Sequence, residues 1–106
     1  MRTEIGRVAL ADLPPGSKTR LARPPYDVLV VNVAGTIHAI EDACPHSGKS
    51  LCEGRVDGAR VTCSGHDWVI DVRNGRVVVP EGRDDTNPCF EVKIEQGWAV
   101  VLEPLG

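Results

Sequence analysis

The sequence has few aromatic residues, no long apolar run and no cluster of basic residues. Aromatic side chains make up 4% of its 106 residues, so the core must be built largely from valine, isoleucine and leucine. The longest apolar stretches, such as 28–31 and 77–79, are far shorter than the ~20 residues that cross a bilayer. A net charge of −3, with lysines and arginines scattered among acids, disfavours nucleic-acid binding, which needs clustered positive charge. We therefore expect a globular protein that neither spans a membrane nor binds nucleic acid.

The sequence also leaves no room for an ordinary helix. Glycine or proline recurs so often that no interval free of both exceeds nine residues, whereas an average helix has about 11. Between these breaks lie short segments rich in β-branched residues, which are typical of strands. The predicted strands are 4–10, 27–33, 37–41, 60–63, 69–72, 76–79, 90–94 and 98–102. We expect an all-β fold, a compact antiparallel β-sandwich or barrel formed by a single domain, 1–106.

The N-terminal segment indicates the cellular compartment, and the compartment indicates how the cysteines are used. The N-terminal segment contains an acidic residue and a glycine where a secretory signal would need an uninterrupted apolar region. We therefore expect a cytoplasmic protein, and in that reducing compartment metal binding or free thiols are favoured over disulfides for the four cysteines.

Two short segments carry a metal-binding signal. Cys44-x-His46 and Cys63-x-x-His66 each offer one thiolate and one imidazole, and a hairpin at Asp57-Gly58 would return the second loop beside the first. Two cysteines and two histidines suit either a tetrahedral zinc site or an iron-sulfur cluster. Zinc fingers usually pair cysteine with cysteine and histidine with histidine, so mixed loops favour iron. The residues alone leave a structural zinc-binding module open as an alternative.

The two loops together resemble the Rieske signature, and residues 63–71 followed by Asn74-Gly75 are similar to that family from its second loop onward. The resemblance implies a Rieske-type [2Fe-2S] cluster held by two loops, in a subdomain of about 43–80 inserted in a β base domain. It implies that two cysteines bind one iron and two histidines bind the other, which faces solvent. The implied cofactor and metal ligands are Cys44, His46, Cys63 and His66.

The resemblance also implies a function. Small members of this family resemble the ferredoxin components of bacterial ring-hydroxylating dioxygenase systems. We therefore expect an electron carrier, not an enzyme, that passes single electrons from a flavin-containing, NAD(P)H-dependent reductase to a terminal oxygenase. We expect a monomer that docks transiently near His46 and His66. The small Rieske-like subunit of NAD(P)H nitrite reductase is an alternative.

Other residues have structural interpretations. Trp98 and Phe90, in the last two predicted strands, are expected in the core. His38 is expected to be an ordinary strand residue, and Cys52 and Cys89 are expected to be buried structural thiols.

The midpoint potential of the cluster is predicted to lie near the low end of the Rieske range, at about −150 mV. Respiratory Rieske proteins have a loop disulfide and, after the second histidine, serine and tyrosine hydroxyls near the cluster. Here Lys49 and Gly65 occupy the disulfide positions, and Trp68 and Ile70 the hydroxyl positions. Because hydrogen bonds to the sulfurs stabilise the reduced cluster, their absence lowers the potential. A redox titration checks this value, and a midpoint well above zero would contradict it.

Overall fold

A computed structural model describes residues 3–45, 47–64 and 67–103, and these form ten β-strands and two single-turn 3-10 helices. The strands are β1 (Glu4–Ala9), β2 (Lys18–Leu21), β3 (Val28–Val33), β4 (Thr36–Glu41), β5 (Arg55–Asp57), β6 (Arg60–Thr62), β7 (Val69–Asp71), β8 (Val77–Val79), β9 (Cys89–Glu95) and β10 (Trp98–Leu102). The 3-10 helices are Leu10–Asp12 and Leu51–Glu53. No helix in this part of the chain is long and apolar enough to cross a membrane. The all-β prediction is confirmed.

The strands form two antiparallel sheets. The larger sheet has six strands in the order β1-β10-β9-β4-β3-β2, and the smaller has four in the order β5-β6-β7-β8. The two edges of the larger sheet approach each other, because a Cβ added to Gly6 on β1 would lie 3.4 Å from Leu21 on β2. The larger sheet is therefore a nearly closed barrel, and the smaller sheet is built from the chain between β4 and β9.

Strand β3 separates two apolar cores. Val28 and Val30 point into a core inside the larger sheet, together with Phe90. The alternate residues, Leu29 and Val31, point into a second core that includes residues of the smaller sheet. Because successive side chains of a strand face opposite sides, the continuous run of apolar residues in β3 packs into both apolar cores.

Two strands were not among the predicted segments. Strand β2 pairs with β3 from Lys18 opposite Val31 to Leu21 opposite Val28, and β5 forms the expected hairpin with β6. The sequence of β2, Lys-Thr-Arg-Leu, is mostly polar and lacks the apolar β-branched pattern. Its extended conformation follows from pairing with a buried neighbour, which local sequence does not reveal.

The prediction for Trp98 is wrong, whereas Phe90 is buried as expected. Trp98 is 40% exposed and begins β10 on the outer face, where the Arg7 guanidinium lies 5.9 Å from the ring centroid. The inward positions of this strand are filled by Ala99 and Val101. The register of β10 therefore directs the indole out of the core.

The pair Asn74-Gly75 is typical of a type I′ hairpin turn, but the structure does not have that geometry here. Only Gly75 has a positive φ, +74°, whereas Ala34-Gly35 and Gln96-Gly97 have positive φ at both residues. The amide of Gly75 instead donates to the carbonyl of Asp71 at 2.7 Å. The pair therefore lies in the hairpin between β7 and β8, with a turn geometry other than type I′, and residue 75 contacts another loop.

Gly75 lies against the backbone of Asn87. The Asn87 amide donates to the Gly75 carbonyl at 2.7 Å, and a Cβ added to Gly75 would lie 2.2 Å from the Asn87 carbonyl oxygen. Gly58, with a φ of +61°, has open space around it. Both glycines therefore have a backbone conformation that would be strained in any other residue. Only at Gly75 is there also no space for a side chain.

We expect Gly75→Ala to lower the free energy of unfolding considerably more than Gly58→Ala. Left-handed backbone costs an alanine about 1–2 kcal/mol at either position, and overpacking adds about 1–3 kcal/mol at Gly75 alone. Urea unfolding of both variants measures the difference. Equal losses of stability would contradict the close approach of the two loops.

Candidate metal centre

The first loop of the predicted site follows β4 and folds back on itself around Cys44. The amide of Cys44 donates to the carbonyl of Lys49 at 2.8 Å, and the amide of Gly48 donates to the carbonyl of Cys44 at 2.8 Å. Gly48 has a φ of +76°, a conformation that glycine adopts without steric cost. Cys44 is 2% exposed, so the loop holds this cysteine inside the protein.

A buried carboxylate anchors the base of the first loop. Asp42 accepts hydrogen bonds from the Ser50 hydroxyl and from the Cys52 amide, the latter at 2.7 Å. Its Oδ2 atom also lies 3.7 Å from Nη1 of Arg20, which comes from β2. A buried charge needs both a counter-charge and hydrogen-bond donors. Asp42 finds the donors at the far end of the loop and the counter-charge on β2, so its carboxylate joins both ends of the loop to the barrel.

The second loop lies between β6 and β7. The amide of Cys63 donates to the carbonyl of Trp68 at 2.7 Å, which closes the loop. Asp67 has a φ of +58°, an uncommon conformation for a residue other than glycine that aspartate tolerates better than most. Cys63 is 1% exposed and is therefore also held inside the protein.

The two loops meet at the cysteines. Cys44 and Cys63 belong to the same apolar core, and the Ser47 hydroxyl of the first loop lies 3.9 Å from Sγ of Cys63 in the second. None of the four cysteines, all within the described part of the chain, forms a disulfide. The structure thus brings the cysteine half of the predicted ligand set together.

The other two predicted ligands, His46 and His66, lie outside the described residues. Residues 3–45, 47–64 and 67–103 alone contain no group of three or more His, Cys, Asp or Glu side chains that could hold a metal ion. The predicted metal ligands that the structure describes are therefore the thiols of Cys44 and Cys63. Thiolates are ligands of zinc ions and of iron-sulfur clusters.

Ser47 lies at the site although it precedes the second histidine, so the hydroxyl pattern of respiratory Rieske proteins does not predict it. A hydroxyl that donates to a cysteine sulfur stabilises the more negative, reduced state of a cluster. Ser47 follows His46 directly in the sequence, but only the convergence of the loops brings its side chain to Cys63.

A third loop, residues 80–88, borders both others. The Arg83 guanidinium lies 5.2 Å from the ring centroid of Trp68 in the second loop and donates to Asp85 at 2.8 Å. At the other end, Pro88 lines a groove of about 420 Å³ together with Cys44 and Pro45 of the first loop. The third loop therefore contacts one cysteine loop near each of its ends.

The cysteines outside the motif differ from the expectation of buried thiols. Cys52 is half-buried and Cys89 is exposed. Partial desolvation is nonetheless the main cause that raises the pKa of both thiols, so neither is activated as a thiolate. His38 is a half-buried residue of β4, as predicted, and burial lowers its pKa.

Comparison with known families agrees with this geometry. The Rieske [2Fe-2S] domain family matches residues 6–91, a range that includes both cysteine loops and most of the two sheets. This match defines an iron-sulfur protein. The chain belongs to the Rieske [2Fe-2S] domain family.

Similar proteins of known role include ferredoxin components of oxygenase systems. The chain is 35% identical over 86 residues to the ferredoxin component of an alkene monooxygenase system from Xanthobacter autotrophicus, covering 76% of this chain and 66% of that protein. It is 34% identical over 96 residues to ferredoxin CarAc of Metapseudomonas resinovorans, covering 88% and 87%. The chain is therefore an electron carrier and not a catalytic component.

Solved structures share the fold. A complex of reduced oxygenase and oxidized ferredoxin in carbazole 1,9a-dioxygenase matches with a TM-score of 0.84 and 27% identity over 95% of this chain and 92% of that one. A nitrite reductase small subunit from Mycobacterium tuberculosis matches with a TM-score of 0.83 over 100% and 99%, but at 16% identity. The second likeness concerns the fold alone.

The donor chemistry fits the family's cofactor. A Rieske-type [2Fe-2S] cluster needs two thiolates and two imidazoles, and the two buried cysteines on adjoining loops match the thiolate half of the requirement. The predicted cofactor is confirmed by the family, which disfavours the alternative of a structural zinc-binding module.

Proposed function

We propose that Cys44 and Cys63 bind one iron of the [2Fe-2S] cluster and that His46 and His66 bind the other. The observation that carries this assignment is the contact of the two loops, in which the Ser47 hydroxyl lies 3.9 Å from Sγ of Cys63. Burial of both cysteines supports it, because a thiolate that ligates iron need not be solvated. Each histidine follows its cysteine within three residues, so the same loops can supply all four ligands.

The protein is proposed to accept one electron from a flavin-containing, NAD(P)H-dependent reductase and to deliver it to a terminal oxygenase. The cluster supplies the one-electron chemistry when bound, and the chain's own loops bury the thiolates and hold the site rigid. Ferredoxin components among the relatives support this role, as does the likeness to the structure that contains an oxygenase and its ferredoxin. We also propose that the carrier is monomeric and cytoplasmic.

The proposed organisation is a single Rieske domain, 1–106, with the cluster-binding subdomain of about 43–80 inserted in the barrel. Pairing of β1 with β10 joins the two ends of the described chain in the larger sheet. The smaller sheet, from Arg55 to Val79, comes entirely from the insertion between β4 and β9. Both cysteine loops therefore belong to the segment between β4 and β9, whereas the larger sheet is formed by the strands on either side of it.

Substitution of the proposed cysteine ligands should abolish the cluster. Cys44→Ser and Cys63→Ser each replace a thiolate with a poor iron ligand, so the proteins purified under argon should lose visible absorption and the electron paramagnetic resonance signal obtained after dithionite reduction. Cys52→Ser and Cys89→Ser remove thiols outside the motif and serve as matched controls that should retain both.

The spectrum of the unmodified protein distinguishes the alternatives. A red-brown protein whose reduced signal has a low average g value supports mixed histidine and cysteine ligation. A colourless protein with stoichiometric zinc, or an intact cluster in Cys44→Ser, would reject the ligand assignment.

Docking is proposed to take place at the exposed end of the cluster loops, near His46 and His66. Exposed charges of both signs lie on the loops that carry or border the two cysteines, including Lys49 of the first loop and Asp84 of the third. Electron transfer between charged surfaces slows or accelerates with ionic strength because salt screens the long-range attraction or repulsion that governs encounter. The proposed interface is therefore small and sensitive to salt.

Lys49→Gln and Asp84→Asn should change the second-order rate of electron transfer to the oxygenase in opposite directions, because they remove opposite charges from one docking surface. Stopped-flow measurements at low salt check this. Lys93→Gln removes an exposed charge of β9 and should leave the rate unchanged. Equal rates in all variants, or tight binding that is insensitive to salt, would contradict docking at this end.

A further inference from the structure

Asn87, in the third loop, is one of the few polar residues of the described chain with a buried side chain, being 6% exposed. Its Nδ2 atom donates to the carbonyl of Glu41 at 3.0 Å and to the carbonyl of Ala43 at 2.9 Å. These carbonyls belong to the end of β4 and to the residue immediately before Cys44. One side-chain amide therefore uses both of its hydrogens on the backbone that leads into the first cysteine loop.

The backbone of Asn87 is held equally closely by another segment. Its amide donates to the carbonyl of Gly75 at 2.7 Å, and the space beside Gly75 is too small for a Cβ atom, which would lie 2.2 Å from the Asn87 carbonyl oxygen. Asn87 thus connects three segments: the first cysteine loop, the hairpin between β7 and β8, and the third loop.

The segment that receives these hydrogen bonds is also held by two of its own backbone amides and by the Asp42 side chain. The amide of Glu41 donates to the carbonyl of Pro88 at 2.9 Å, and the amide of Asp42 donates to the carbonyl of Asp27 at 2.7 Å. Beyond Ala43, the next backbone amide, that of Cys44, bonds within its own loop. The Asn87 amide is therefore the contact that joins the Ala43 carbonyl, and with it the peptide leading into Cys44, to the third loop.

We propose that Asn87 is a positioning residue for the iron-sulfur site. It orients the peptide that precedes Cys44 and holds the third loop against the first, so it sets both the placement of the Cys44 thiolate and the access of water to it. The inference rests on the proposed ligand role of Cys44. Asn87 itself is not a ligand and acts only through the Ala43 carbonyl and the attached loops.

Asn32 provides a matched comparison within the same protein. It is also 6% exposed, and its side chain donates to the carbonyl of Leu13 at 2.8 Å and accepts from the amide of Gly35 at 2.7 Å. These partners belong to the barrel and not to the cysteine loops. Replacement of Asn32 therefore removes a comparable buried hydrogen-bonding group without releasing the first loop.

The test uses the cluster-containing protein and three variants, Asn87→Ala, Asn87→Asp and Asn32→Ala. Asn87→Asp keeps the shape of the side chain but loses both donors. Midpoint potential, the g values of the reduced protein, the rate at which visible absorption bleaches in air with a chelator, and the thermal unfolding midpoint are measured for each.

We expect both Asn87 variants to shift the g values and the midpoint potential and to bleach about tenfold faster, because the two hydrogen bonds to the Glu41 and Ala43 carbonyls are lost. Asn32→Ala should lower the unfolding midpoint while leaving the potential, the g values and the bleaching rate as in the unmodified protein.

Two results would overturn the inference. One is that the Asn87 variants keep the original potential, g values and bleaching rate and only unfold earlier, as Asn32→Ala does. The other is that neither Asn87 variant folds, because a positioning role leaves the fold intact. Absence of the cluster in the unmodified protein, or its survival in Cys44→Ser, would instead reject the proposed ligands, so the two failures are distinguishable.

Discussion

Cys44 and Cys63 are both buried in one apolar core, and their burial limits how the loops around them can fold. Both cysteines lie on loops, and loops carry backbone polar groups that cannot be buried without partners. The two thiols can be placed inside the protein only if the surrounding backbone finds hydrogen bonds locally. The first loop does so through the pairing of Cys44 with Lys49, and the second through the pairing of Cys63 with Trp68.

Two buried polar side chains complete this arrangement from outside the loops. Asp42 accepts hydrogen bonds from Ser50 and Cys52 at the base of the first loop, and Asn87 donates to the backbone just before Cys44. Fully satisfied polar groups of this kind are costly to disturb and favour one arrangement of the chain. A carrier benefits from such rigidity, since a site that moves little between redox states has less to reorganise when an electron arrives.

The strand pattern and the ligand motif could be predicted from the sequence because both are local. Short β-branched segments between glycines and prolines identified most strands, and two Cys-His pairs identified the loops. Strand β2 could not be found in this way, since Lys18–Leu21 is extended only because β3 lies beside it. The prediction that Trp98 is buried is wrong for a related reason. A tryptophan side chain favours burial, but the register of β10 directs this one outward.

The all-β class, the two cysteine loops and the resemblance to Rieske proteins follow from the sequence, because each depends on residue type and short-range spacing. The packing of the folded chain sets three further features: Ser47 reaches Cys63, Asn87 holds the backbone before Cys44, and Gly75 has no room for a side chain. These contacts join residues that are distant in the chain. They are set by how the two sheets and three loops pack, and side-chain packing between distant segments leaves no periodic or local signal in a single sequence.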